Sequence, residues 1–341
     1  MNRLLPALLA VGLLPTLCLG QEVGGQIYLD QNGNATSAYV HQQHAPDHGM
    51  SNVAVTARSS RDRLETLTDA RGGFAFSDLT SGTWLVTAEM EGACSSHNCP
   101  RRLPAAVDEG AINLVSFGDS IGKVGSDEPY PNRLRDHLQG VSEVSLNNIS
   151  VSGSEANEWT PGTNYFDNRL APLVADADVI TFTLGGNDLT HYWYDVPWDI
   201  TALTGFPEAY RAIKTDIIEI SEAIYTINPD VDLVYVVYPP FANTEMWAGW
   251  FDYVWPIVRA GEWLMFADWR RAISDALPDI LLADMLAATD KSEPIDHYMY
   301  DSIHPNDAGH QWYADIIFEV LGGVVIGDTP LGHSRQIAAA P

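Results

Sequence analysis

Five residues, spread over nearly two hundred positions, have the types needed for acyl transfer. Ser120 closes the run Val115-Ser-Phe-Gly-Asp-Ser120, and Asp301 and His304 stand three residues apart in Asp301-Ser-Ile-His304-Pro305. Gly153 ends Asn148-Ile-Ser-Val-Ser-Gly153, and Asn187 lies in Leu184-Gly-Gly-Asn187-Asp188. A serine hydroxyl keeps its proton at neutral pH, so it needs a base to attack a carbonyl. His304 supplies an imidazole, and Asp301 is close enough on a turn to accept from its other ring nitrogen and hold one tautomer. The oxyanion that forms then needs N–H donors about 3 Å away. The backbone N–H groups of Ser120 and Gly153 and the uncharged side-chain amide of Asn187 can provide them. Asp119 and Asp188 read as braces of their turns.

These residues need elements to bring them together. Apolar runs at 112–117, 144–149, 179–184, 231–238 and 280–283 read as strands. They alternate with helical patterns at 132–138, 207–228, 256–277 and 306–321. The clearest of these sets Ile213, Ile217, Ile220, Ile224 and Ile227 on one face, with Pro207 at its start. Strands alternating with helices in one run imply a mainly parallel sheet covered on both sides. Ser120, Gly153 and Asn187 then follow strand ends at one edge, where ligands gather in open α/β sheets.

The blocks holding Ser120, Gly153, Asn187 and His304, in that order, resemble the SGNH, or GDSL, hydrolase family across residues 111–322. The resemblance implies a flavodoxin-like three-layer α/β/α fold, Ser120, Asp301 and His304 as catalytic residues, and Ser120, Gly153 and Asn187 as the oxyanion hole. It implies ester hydrolysis with no cofactor and no metal. Ile121-Gly122-Lys123 departs from the Leu-Thr that follows the serine in many relatives, which bears on the pocket wall. A metal hydrolase built on His297, Asp301, His304 and His310 is the competing mechanism. It leaves the Ser and Asn blocks without a role.

The N-terminal part reads differently. Residues 1–20 have Arg3 followed by an apolar stretch and end in Cys18-Leu-Gly20, the form of a signal peptide cut after Gly20. The protein is therefore expected to be secreted, and no later stretch is apolar enough to span a bilayer. Residues 21–93 show short alternating runs at 25–29, 53–57, 74–76 and 84–88 between turn signals, which suggests a small all-β sandwich. The pattern from Gly49 to Trp84 resembles Cna-B-like and SdrD B-like domains, and carboxypeptidase regulatory-like domains are similar. That resemblance implies a spacer without catalysis. Asp30, Asn32 and Asn34 form either a plain turn or a calcium loop lacking its final acid. His41, His44, His48 and Asp47 read as a polar loop, with a metal site as the alternative. Cys94 and Cys99 are expected to form a disulfide in the linker 94–110, with free thiols the alternative. Residues 323–341 read as a C-terminal tail.

Composition limits the partners. In 341 residues, 18 basic stand against 45 acidic side chains, a formal net charge of −27. A surface so acidic repels nucleic acid and anionic membranes, which discounts both as partners; the expected partner, a small-molecule or polysaccharide ester, is what the family resemblance implies. Trp193, Trp198, Trp247, Trp250, Trp255, Trp263 and Trp269 crowd one segment. Trp263 and Trp269 read as helix core. Those in the loops after Asn187 and Tyr238 are candidates for the pocket mouth, suited to an acyl chain or a sugar ring. A lipase or lysophospholipase-like enzyme and a non-catalytic cell-surface binding protein are the alternatives to a short-chain esterase.

The cofactor-free reading predicts that a chelator leaves nitrophenyl-acetate hydrolysis unchanged. Inhibition that is reversed by returning a divalent metal would restore the metal mechanism.

Overall fold

The computed structural model describes residues 23–26, 28–29, 48–49, 54–76, 79, 82–89, 111–195, 200–239, 255–277, 279–289, 295–301 and 303–326. The expected signal peptide, the Asp30–Asn34 turn, His41, His44, Asp47 and the Cys94–Cys99 pair lie outside the described residues. So do the whole linker, 94–110, and Trp198, Trp247 and Trp250.

The strands are β1 (Val23–Gln26), β2 (Tyr28–Leu29), β3 (His48–Gly49), β4 (Ala54–Arg58), β5 (Arg63–Leu67), β6 (Gly73–Phe76), β7 (Gly82–Glu89), β8 (Ile112–Gly118), β9 (Val144–Asn148), β10 (Val179–Thr183), β11 (Asp232–Val237), β12 (Leu281–Asp284) and β13 (Gly323–Ile326). The α-helices are α1 (Tyr130–Gln139), α2 (Ala171–Val174), α3 (Gly186–Asp195), α4 (Ile200–Ile227), α5 (Trp255–Ala276) and α6 (Asp307–Val320).

One compact unit holds residues 113–135 and 145–314. Its framework is the parallel sheet β12-β11-β10-β8-β9. The chain enters at β8, steps to β9 on one side, then crosses to β10 on the other. That is the flavodoxin-like order, and it puts the topological switch point between β8 and β10. Ser120 follows β8 and Asn187 follows β10, so both stand at this crevice. All five residues of β10 and all six of β11 are buried, as a sheet covered on both faces requires. Between the two switch-point strands, Phe117 stacks on Phe182 at 4.9 Å, and Trp159 closes over Phe117 at 5.1 Å.

Two helices differ from the sequence expectation. Pro207, expected to open its helix, lies inside α4, which begins seven residues earlier. Proline lacks an N–H and costs an interior helix one hydrogen bond, so it is normally a better start signal than it is here. Ile213, Ile217, Ile220 and Ile224 are buried as expected, but Ile227 at the helix end is 40% exposed. The second difference is α3. The Gly-Gly-Asn-Asp stretch, expected as a loop, is the first turn of a helix, so Trp193 is helical and not in a loop.

The other compact unit holds residues 1–112, 136–144 and 315–341. Its strands are antiparallel: β1 pairs with β6, β2 with β3, and a four-stranded sheet runs β13-β7-β4-β5. Edge strand β5 escaped the sequence reading because its five residues are largely exposed and lack apolar alternation. The sheet's other edge corrects the expected tail. Gly323–Ile326 is a strand that pairs antiparallel with Gly82–Leu85 of β7. The Ser60 amide also donates to the Gly140 carbonyl at 3.2 Å, so the end of α1 belongs to this unit.

Without β13, the outer edge of β7 would lose its ladder partners. A chain ending at Gly322 is therefore expected to melt at lower temperature than the full chain. Its β7 amides that face β13 should exchange with solvent at least about tenfold faster. Unchanged exchange at β7 in the shortened chain would show that the pairing contributes nothing.

Candidate active site

The serine turn is set by Gly118. Its φ is +115°, and a Cβ there would come within 2.1 Å of the Thr183 carbonyl oxygen, so only glycine fits. The chain then enters a 3-10 turn, Ser120–Gly122, capped by Asp119, whose Oδ1 accepts the Ile121 N–H at 3.0 Å. The Ser120 carbonyl accepts from Lys123 and Val124 at 2.9 and 2.8 Å, which fixes the backbone on both sides of the hydroxyl.

The structure brings His304, the base expected from the sequence, beside Ser120. His304 Nε2 lies 2.9 Å from Ser120 Oγ, across 184 residues of chain. His304 Nδ1 lies 2.7 Å from Asp301 Oδ2. A carboxylate can only accept, so Nδ1 carries the proton and Nε2 is left to accept from the serine hydroxyl. Asp301 Oδ1 accepts the backbone N–H groups of Ile303 and His304 at 2.8 and 2.7 Å, which orients the carboxylate. Partial burial works against the charge, but the hydrogen bonds from His304 and Ile303 outweigh it and hold the Asp301 pKa below the usual carboxylate range. Ser120 is 8% exposed, so the hydroxyl is nearly enclosed.

The other wall is built from the loop after β9 and the first turn of α3. Gly153 has φ +83°, and a Cβ there would point into open space. The glycine is needed for its backbone conformation and leaves the approach clear. The Gly118 carbonyl holds this loop, accepting the Val151 N–H at 2.7 Å and the Ser154 hydroxyl at 3.1 Å. Trp159 Nε1 in turn donates to Ser154 Oγ at 2.9 Å. Asn187 Nδ2 donates one hydrogen to the Ser154 carbonyl at 2.9 Å. Asp188 accepts the Ala156 N–H at 3.0 Å, and burial, with Glu155 and Asp216 nearby, pushes its pKa up to about 7. Asp119 thus braces its own turn, as the sequence suggested, whereas Asp188 braces the loop after β9 through the Ala156 N–H.

Three residues matter more than the sequence reading allowed. Ser154 links the Gly118, Asn187 and Trp159 segments. Tyr238, at the end of β11, donates to Asp119 Oδ2 and accepts from the Gly186 N–H at 3.3 Å. Its place at a strand's carboxyl end was the available signal. His310 was considered only as a metal ligand. Here Nε2 donates to the Val124 carbonyl at 2.8 Å, and Nδ1 accepts the Tyr130 N–H at 3.1 Å. It therefore ties the chain after Ser120 to the start of α1. Among the described residues, no three His, Cys, Asp or Glu side chains are grouped to hold a metal ion. Trp269 is core, as expected.

A family model described as the GDSL-like lipase/acylhydrolase family matches residues 116–312. A Bacillus subtilis (strain 168) protein, the uncharacterized YpmR, is 24% identical over 247 residues, spanning 71% of this chain and 91% of its own. The lipase Lip_vut3 from a goat rumen metagenome is similar over 61% of this chain and 96% of its own, at 21% identity and a TM-score of 0.47. The extracellular lipase of Streptomyces rimosus is similar over 61% and 98%, at 17% identity and a TM-score of 0.46. The acetyl xylan esterase AlAXEase is similar over 61% and 98%, at 16% identity and a TM-score of 0.44.

His310 and Asp188 give the stability of this unit two opposing pH dependences. Burial lowers the His310 pKa from 6.5 to about 4. The unfolded chain then binds the extra proton between these values, so this contribution is complete above pH 6.5 and is lost as pH falls to about 4. The Asp188 pKa is raised, so the folded state binds more protons below about 7, and its contribution weakens as pH rises from about 4 to 7. Urea titrations should therefore show that the destabilisation by His310→Gln shrinks toward pH 4, by about 3 kcal/mol over the window. Asp188→Asn should gain on the wild type as pH rises over the same range. Differences that stay flat with pH in both variants would refute these assignments.

Proposed function

The chain belongs to the GDSL-like lipase/acylhydrolase family, and from that premise we propose that it is a secreted serine ester hydrolase working through an acyl-enzyme on short acyl or acetyl esters. The observation that carries the serine mechanism is the unbroken relay Ser120–His304–Asp301, at 2.9 and 2.7 Å. In this reading, His304 Nε2 takes the Ser120 proton as Oγ attacks the ester carbonyl. The carbonyl electrons move onto the oxygen, and the imidazolium that forms is stabilised by ionised Asp301. The Ser120 and Gly153 backbone N–H groups and the Asn187 amide hydrogen not given to Ser154 receive the oxyanion. Collapse expels the alcohol, which takes its proton from His304. Water then repeats the sequence on the acyl-enzyme, releasing the acid and freeing the serine.

Two features support short esters, including acetyl groups on carbohydrate. The net charge of −27 disfavours residence on anionic lipid surfaces, where a phospholipid-directed enzyme works. In the sequence reading, Trp198, Trp247 and Trp250 fall in the loops after Asn187 and Tyr238 and would offer flat faces of the kind sugar rings stack on, while Trp269 is core. The N-terminal signal segment supports export, and the β-rich region preceding the hydrolase portion is read as a spacer.

Ser120→Ala is expected to lower nitrophenyl-acetate kcat by at least about 10⁴-fold with little change in Tm. Asn187→Ala should lower it by about 10²–10³-fold. Across an acyl-length series, kcat/KM should be highest for acetyl and fall toward octanoyl, with acetylated xylan turned over and lysophospholipid not. Retained turnover in Ser120→Ala would overturn the nucleophile, and a preference for octanoyl would overturn the short-chain assignment.

A further inference from the structure

Beneath the serine turn lies a buried polar group that the acyl-transfer steps do not use. Asp119 is 2% exposed. Its Oδ1 accepts the Ile121 N–H at 3.0 Å and the Thr183 hydroxyl at 2.8 Å, and its Oδ2 accepts the Tyr238 hydroxyl. A phenol has one hydrogen to give, and Tyr238 gives it to Asp119. Its oxygen then accepts the Gly186 N–H at 3.3 Å. Gly186 opens α3 and directly precedes Asn187. The first amides of a helix have no partner within it, so what binds them fixes where the helix begins. The continuous path is therefore Ile121 N–H, Asp119 carboxylate, Tyr238 hydroxyl, Gly186 N–H. One end sits on the residue after Ser120 and the other on the residue before Asn187.

Packing limits how far this path can shift. Tyr238 is 3% exposed, and its ring packs on Phe266 at 6.2 Å. A Cβ on Gly186 would lie 3.2 Å from the Tyr238 ring, so glycine lets the helix start come down onto the hydroxyl. Burial disfavours charge on Asp119, and the donors from Tyr238, Ile121 and Thr183 oppose that effect.

We propose that Tyr238 is a positioning residue that sets the Asn187 amide relative to Ser120, acting through Asp119 on one side and Gly186 on the other. This rests on the assignment of Ser120 as nucleophile and Asn187 as oxyanion donor made above. Tyr238 touches no reacting atom. It holds the separation between attacking oxygen and oxyanion donor, a distance that matters in the transition state and little in the bound ester.

The test is a double-mutant cycle on the full chain with nitrophenyl acetate, with Ser120→Ala run alongside. Tyr238→Phe is expected to lower kcat about 10- to 100-fold with KM within about twofold of the wild type. If the hydroxyl acts by placing the Asn187 amide, its loss should cost less than about threefold more in the Asn187→Ala background. Folded Tyr238→Phe with wild-type kcat, or losses that multiply in the double variant, would overturn the proposal. An active Ser120→Ala would overturn the underlying mechanism instead, so the two failures are distinguishable. Should Tyr238→Phe not fold, Asp119→Asn carries the same test, because it keeps the shape and removes the carboxylate that anchors the hydroxyl. Its kcat is expected to fall at least about tenfold, again without multiplying the Asn187→Ala loss, and wild-type kcat there would overturn the proposal.

Discussion

The hydrogen bond between His304 Nε2 and Ser120 Oγ is the constraint the rest of this fold serves. It spans 184 residues and closes at 2.9 Å. No local preference can bring such distant residues together, so the accuracy has to come from the sheet. Parallel strands with buried faces hold the carboxyl ends of β8, β10 and β11 at one edge. Each end then supplies a member of the site or its support: Ser120 after β8, Asn187 after β10, Tyr238 after β11. His304 arrives from the other direction, on the turn before α6, where its own carboxylate partner is only three residues away.

Several polar groups around Ser120 are engaged by backbone. Gly118 accepts from Val151 and Ser154, Asn187 donates to the Ser154 carbonyl, and His310 bridges the Val124 carbonyl and the Tyr130 N–H. A buried polar group without a partner carries a desolvation penalty, which makes such contacts selective for one arrangement. Loops near Ser120 are thus held by directional bonds to fixed carbonyls and amides.

Much of this was legible in the sequence, and the reasons differ by element. The buried strands β8, β10 and β11 announce themselves as short apolar runs because both faces are covered. The serine, the histidine and its aspartate were legible from residue type and order alone. The start of α3 was not, because Gly-Gly-Asn-Asp is as good a turn as it is a helix start. Pro207 gave a false boundary, since a helix can absorb one missing donor when its other contacts are good. Strand β5 carries no apolar alternation, and β13 lies beyond the last clear helix, where only the pairing with β7 defines it. Tyr238 was missed as a contributor because nothing in a strand of Val and Tyr marks which hydroxyl meets a buried carboxylate.

The pairing of β13 with β7 has a consequence for how the chain matures. During synthesis the N-terminal strands leave the ribosome first, yet the outer border of their four-stranded sheet is made by residues 323–326. That sheet stays incomplete until the whole catalytic portion has been translated. Its early strands therefore wait with an open border until residues 323–326 emerge to close it.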